Sequence, residues 1–260
     1  MDSKLLVKVI KREKAVTGIK ALLVLPVAAF HLAIVAGCCA GAVTGYLTTK
    51  LRIPVLLSGI LTMIGLYSVN LHVMGKANVG LLQETTLFTL FESFGLTVPQ
   101  AGLVVGLLFA VVVGVIIYWF FGTEIGTAVR ATGINAQMAR AQGINTDGMM
   151  VLGLVISNGL VALSGAIVAQ NNGFADVGMG VGTIVIGLAS VIIGEVLFGA
   201  TTFKMRLVSV VLGSIVYRLV IAAVLEMGMP PNDLKLFTAV LVAIALSLPL
   251  IKSKVAAARK

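Results

Sequence analysis

The sequence predicts an all-α protein: a polytopic transmembrane helical bundle of about seven spans. Three observations carry that prediction. Hydrophobic residues make up 59% of the chain and charged ones 11%, with a mean hydropathy of +1.10; a soluble domain of this length needs more polar surface. Long apolar runs carry no charge, Ser93 to Thr123 and Gly148 to Ala175 among them. Between those two lies the longest polar interruption, Arg130 to Asn145, which has to sit in water. The net charge of +9 invites a nucleic-acid partner. That reading is rejected, because the basic residues stand at the ends of apolar runs, where the positive-inside rule puts them.

The elements follow in order. Residues 1–20 form a basic, weakly amphipathic segment with Lys4, Lys8, Lys11, Arg12, Lys14 and Lys20, suited to an anionic membrane face. The transmembrane domain occupies 21–251. Its first span is Ala21 to Thr49, with Pro26 as a source of kinking and His31 read as a packed, hydrogen-bonded residue. The adjacent Cys38 and Cys39 fit neither a disulfide framework nor a metal site and read as small buried side chains; no metal or other cofactor is expected. Ile53 to Gly75 is the second span. Gln83 to Phe94 carries phenylalanines three apart and reads as an interfacial or re-entrant helix. Ala101 to Phe121 is the third span, with Gly102 and Gly106 as a small-residue contact face and Tyr118 and Trp119 as an interfacial belt.

The fourth span, Gly148 to Gln170, is expected to be capped by Thr146 or Asp147. It carries Ser157, Asn158 and Ser164; the serines read chiefly as interhelical glue, and Asn158 is the stronger candidate for a translocation path. Gly178, Gly180 and Gly182 follow no strand and precede no lysine, so they are no phosphate loop. Thr183 to Phe198 is the fifth span. Leu207 to Leu225 is the sixth; its Arg218 needs a partner or water, and a structural ion pair to Glu195 or Glu226 outweighs a substrate role. Gly228 to Asp233 is a turn, Lys235 to Ile251 the seventh span, and residues 252–260 a basic tail.

Within the polar interruption, Gly133 and Gly143 bracket Ile134 to Gln142, which reads as a short helix roughly 13 Å long. Ala136, Ala139 and Ala141 would allow close approach by another protein, and Arg130 and Arg140 would reach its acidic or carbonyl groups. The run GTAVRATGINAQMARAQGIN, continuing into TDGMMVLGLVISNGLVALSGAIVAQ, resembles the cytoplasmic coupling loop and following helix of ABC-importer permeases of the branched-chain amino acid and ribose type. The similarity runs from about Gly41 to Pro249 and is greatest to permeases of tryptophan or aromatic amino acid importers. It implies a coupling loop at 122–147 that docks on an ABC ATPase subunit through Arg130, Ala131, Gly133, Ile134, Asn135, Met138, Ala139, Arg140, Gly143 and Ile144. It also implies a second permease chain in a homodimer and an extracellular, periplasmic or lipoprotein solute-binding protein. The polar and charged groups inside the spans, Asn158, Ser164 and Arg218, are the candidate substrate-path residues. The chain carries no G-x-x-x-x-G-K-[ST] loop, so ATP hydrolysis is expected on a partner, not here.

With the tail placed in the cytoplasm, the loops at Lys50/Arg52, 123–146 and Lys204/Arg206 fall inside as well. Ten basic residues then lie inside, against Lys76 and Lys235 in outer loops. Seven spans put the basic 1–20 segment outside, against the rule. Permeases of this type usually begin with an extra apolar helix and an Asp-Leu-Thr-x-Asp-Gly-Ser segment; the expectation is a truncated or frame-shifted start, or a divergent one lying on the membrane. Two other classes fit the composition: an ion-coupled secondary transporter, for which Arg218 and His31 are thin support, and a non-transporting membrane scaffold.

Overall fold

The computed structural model describes residues 28–228, apart from 82–85, 94 and 181–182, and scattered positions between 233 and 247. The basic N-terminal segment, residues 21–27 of the expected first span, most of the seventh span and the tail lie outside the described residues. Two units divide between Gly178 and Met179. Five described helices are long and apolar enough to cross a membrane: α1 (Ala28–Thr49), α2 (Val55–Met74), α4 (Val98–Gly122), α7 (Thr146–Asn172) and α9 (Phe203–Glu226). At 20 to 27 residues each they measure about 30–40 Å, enough for the hydrocarbon core. The expected fifth span is α8 (Thr183–Phe198), whose 16 residues reach only about 24 Å.

In the first unit, α1 packs antiparallel on α7 along three glycines four residues apart. A Cβ on Gly37 would lie 2.5 Å from the Asn158 carbonyl oxygen, one on Gly41 2.5 Å from that of Leu154, and one on Gly45 3.1 Å from the Val151 Cα. Backbone meets backbone there, which is how membrane helices gain packing when lipid offers no hydrophobic drive. The expected contact face of α4 is only half present: Gly102 sits under the Asn171 side chain, while Gly106 faces open space. Helix α2 is tied to α1 by the Thr44 hydroxyl, 2.9 Å from that of Thr62. Cys38 is half-buried against Gly159 and Cys39 is exposed, so neither is the buried side chain expected; His31 is exposed.

The far ends of α2 and α7 are joined by a feature the all-α expectation missed. Strands β1 (Asn78–Gly80) and β2 (Phe174–Asp176) pair antiparallel, with Val79 opposite Ala175. Three residues each are too few to show an alternating pattern. The short helix α3 (Leu87–Ser93) falls within the expected interfacial segment and buries Phe88. Helix α4 starts at Val98, earlier than expected, because Gln100 reaches back to the Thr97 amide at 3.1 Å and closes a capping box around Pro99.

The second unit is built on α8 against α9. Gly194 and Gly213 lie in mutual backbone contact, and Ala189 and Tyr217 are buried among Ile186, Ile193 and Ile221. The Ser209 hydroxyl donates to the Gly199 carbonyl at 2.6 Å, satisfying a carbonyl in the loop that ends α8.

Candidate functional site

The polar interruption folds as an elbow of two helices between α4 and α7. Thr123 ends α4 and starts the next helix: its amide donates to the Phe120 carbonyl at 3.0 Å, and its hydroxyl oxygen accepts from Gly126 at 3.2 Å. The chain turns so sharply that a Cβ on Gly126 would collide with the Phe120 carbonyl. Helix α5 (Glu124–Ile134) follows. At Asn135 the backbone leaves helical geometry (φ −151°, ψ 96°), and the side-chain oxygen accepts from the Met138 amide at 3.0 Å. That caps α6 (Ala136–Ala141), which is six residues and about 9 Å long.

The expected single helix from Ile134 to Gln142 is therefore corrected. Ile134 closes α5, Asn135 is the break, and Gly133 lies inside α5 and is no boundary. Gly143 does terminate the segment. It takes φ +82°, its amide donates to the Arg140 carbonyl and the Ile144 amide to that of Ala139, the paired bonds of a left-handed C-terminal cap. Helix α7 is capped by Asn145, whose oxygen accepts from Gly148 at 3.1 Å, and not by the expected Thr146 or Asp147. Asparagine competes for backbone donors as well as serine or threonine does, so composition could not separate the three.

The two arginines behave differently. Arg130 is exposed on α5. Arg140 folds back onto its own chain: its guanidinium donates to the buried Thr146 hydroxyl at 2.7 and 3.2 Å and reaches Asp147 at 3.4 Å. The other Asp147 oxygen lies 3.6 Å from Arg52, in the turn between α1 and α2. Thus Asp147 links the α1–α2 turn to α6. Sequence reasoning named Arg52, Thr146 and Asp147 separately but missed that they come together with Arg140; the signal was an acid, Asp147, at the start of a span close to Arg130 and Arg140. Ala139 is buried, Ala131, Ala136 and Ile144 are half-buried, and Ala141 is exposed, so only part of the alanine face is open to a partner. Ile134 and Met138, by contrast, are 81% and 61% exposed.

Of the three candidate path residues, Asn158 and Ser164 belong to the first unit and Arg218 to the second. Asn158 is half-buried in α7, and its amide donates to the Leu154 carbonyl at 2.9 Å, one turn back. Ser164 is exposed on α7. Arg218 lies in the second unit, exposed on α9, and among the described residues it forms no ion pair with Glu195 or Glu226. The structural ion pair expected of it is absent there. A groove of about 460 Å³ opens near the other end of α7, lined by Phe88, Pro99, Leu103, Ile167 and Asn171 among others; none of the three residues lines it.

Comparison with known proteins bears on all of this. Residues 14–246 match the family described as the branched-chain amino acid transport system permease component. A tyrosine transport system permease protein of Clostridioides difficile is 43% identical over 217 residues, 84% of this chain and 71% of that one. An uncharacterized protein of Rickettsia prowazekii is 33% identical, over 86% of this chain and 80% of its own length. The inner membrane ABC transporter permease YjfF of Escherichia coli is 31% identical, over 66% of this chain and 52% of its own. No solved structure matches.

Proposed function

The chain belongs to the permease-component family of branched-chain amino acid transport systems, and from that premise we propose how it works as an importer subunit. It is a multi-pass membrane protein and a transport subunit, not an enzyme. ATP is bound and hydrolysed on a separate ABC ATPase that docks on the α5–α6 elbow. Ile134 and Met138 enter its surface, Arg130 supplies charge beside them, and Arg140 holds α6 in place. The exposure of Ile134 and Met138 on an otherwise polar loop carries this reading. Closure of the ATPases moves the elbow, and α4 and α7, joined to it through Thr123 and Asn145, carry the motion into the membrane.

Two copies form a homodimer with the pathway on the two-fold axis, so the assembly holds two permease chains and two ATPases. The elbow and the C-terminal tail face the cytoplasm. A solute-binding protein meets the opposite end, near Asn171 to Asp176. The solute is an aromatic amino acid, in keeping with the tyrosine transport named for the 43% identical relative.

Co-purification with the ATPase encoded beside it, followed by mass determination and uptake into vesicles, tests the reading. ATP-dependent uptake by a complex of two chains and two ATPases is expected. Replacing Ile134 and Met138 together by glutamate should weaken ATPase capture by about 30-fold, the scale of a central interface contact. Arg130→Glu tests the charge proposed for the ATPase contact, while reversal at Arg140 would also break its bonds to Thr146. Uptake driven by a proton or sodium gradient without ATP would make the chain a secondary transporter. A stable soluble partner without any transport would make it a scaffold.

A further inference from the structure

Charge in the described long helices is confined to their ends, with one exception. Asp147 stands in the first turn of α7, Glu195 in the last turn of α8, and Lys204 and Arg206 in the first turn of α9. Arg218 stands 15 residues beyond the start of α9 at Phe203 and eight before its end at Glu226. Those distances are about 22 and 12 Å along the axis. Ser209, Gly213 and Tyr217 are the buried stripe of α9, and at about 100° per residue Arg218 points some 140° away from it. The face it shares with Val211, Ser214, Ala222 and Leu225 is exposed.

A guanidinium keeps its proton in proteins, so it cannot escape burial in lipid by becoming neutral. Held deep in a span, it needs water or an anion. Glu195 and Glu226 form no ion pair with it among the described residues, and the described interiors of the other spans hold no acid. Among the described residues no acid is paired with it, which leaves water or an anion from beyond them. The planar fork of arginine matches a carboxylate in two parallel hydrogen bonds, and Ser214 and Ala222, one turn to either side, are small enough to leave that approach open.

We infer that Arg218 is the receptor for the carboxylate of the transported solute. The inference rests on the importer reading above and adds the group by which the permease itself holds an amino acid. It also separates Arg218 from Asn158, whose amide is engaged by its own helix. A carboxylate from a second copy of this chain has the same chemistry, and the test distinguishes the two sources.

The test is equilibrium dialysis of labelled L-tyrosine against the detergent-purified permease–ATPase complex, without ATP and without a binding protein. Competitors are 3-(4-hydroxyphenyl)propionate, which keeps the carboxylate, and tyramine, which keeps the amine. Wild type should bind tyrosine and release it to the propionate but not to tyramine. Arg218→Gln should weaken binding about 30-fold and abolish competition by the propionate, and Arg218→Lys should restore part of both. Binding within about threefold of wild type in Arg218→Gln, equal competition by tyramine, or no binding by wild type overturns the inference. So does a mass measurement in which Arg218→Gln separates the two permease chains, since the carboxylate would then belong to the second copy. Failure of the wild type to assemble with any ATPase sinks the importer reading instead; dialysis on the permease alone still reads the role of Arg218.

Discussion

Asp147 is approached by two guanidinium groups from different parts of the chain, Arg52 at 3.6 Å and Arg140 at 3.4 Å. All three side chains are well exposed, so each contact is worth at most about 1 kcal/mol and weakens with salt. Its value is positional: Arg52 is the non-glycine residue with positive φ (57°) among the described residues, a conformation that costs a side-chain-bearing residue about 1 kcal/mol or more. A double-mutant cycle of Arg52→Gln with Asp147→Asn should give a coupling energy of about 0.3–1 kcal/mol in low salt, shrinking at 1 M salt. Amide hydrogen exchange in α6 should quicken in both single variants. Unchanged exchange in Asp147→Asn would mean that Thr146 alone holds Arg140. Asn135 acts at the same scale: Asn135→Ala removes the cap on Met138 and should cost α6 about 1 kcal/mol, read as faster exchange of the Met138 amide while α7 stays protected.

At the scale of elements, the α1–α7 contact of the first unit brings two backbones together. Gly41→Leu must push the helices apart, since even a Cβ would stand 2.5 Å from the Leu154 carbonyl oxygen. A loss of about 1–3 kcal/mol is expected, seen as a lower detergent melting temperature. Gly65→Leu on α2, where nothing lies within 4 Å, is the matched control and should melt like wild type. The same packing offers a direct test of register. A Cβ on Gly159 would lie 2.9 Å from the Cys38 sulfur, close to the separation of about 3 Å across a disulfide. Gly159→Cys in a Cys39→Ser background should oxidise to a bond joining α1 and α7. After proteolysis in the exposed stretch around Gln142, the halves should stay together until reduced; halves that part without reductant would disprove the register. Little of this was legible beforehand. Spacing shows that a helix has a smooth side, but not which helix covers it. Gly102 and Gly106 drew attention on α4, where Gly106 touches nothing, while Gly37, Gly41 and Gly45 form the real contact.

Over the whole molecule, what could be read in advance was the solvent, not the partners. Apolar length alone located α2, α4, α7 and α9 to within a few residues, and the end of α1, because a bilayer demands about 20 apolar residues whatever they pack against. The elbow's polarity was equally plain, but its division into α5 and α6 turns on one asparagine cap, and the fold-back of Arg140 turns on three-dimensional neighbours. The structure adds a testable polarity to the first unit. Helix α7 runs 27 residues, about 40 Å, from the elbow at Thr146 to the β1–β2 sheet beyond Asn172. If it crosses the membrane, those two ends meet different solutions, and the proposal that the elbow faces the cytoplasm, to which Arg130 and Arg140 with Lys50 and Arg52 in the α1–α2 turn lend support, becomes testable. With Cys38 and Cys39 replaced by serine, a cysteine at exposed Asn78 should react with a membrane-impermeant maleimide on intact cells. A cysteine at exposed Gln142 should react only after permeabilisation. The reverse pattern would invert the orientation and remove the elbow from any cytoplasmic ATPase. Labelling of both positions from one side would mean that α7 does not cross the membrane, and the span assignment built on its length would fail with it.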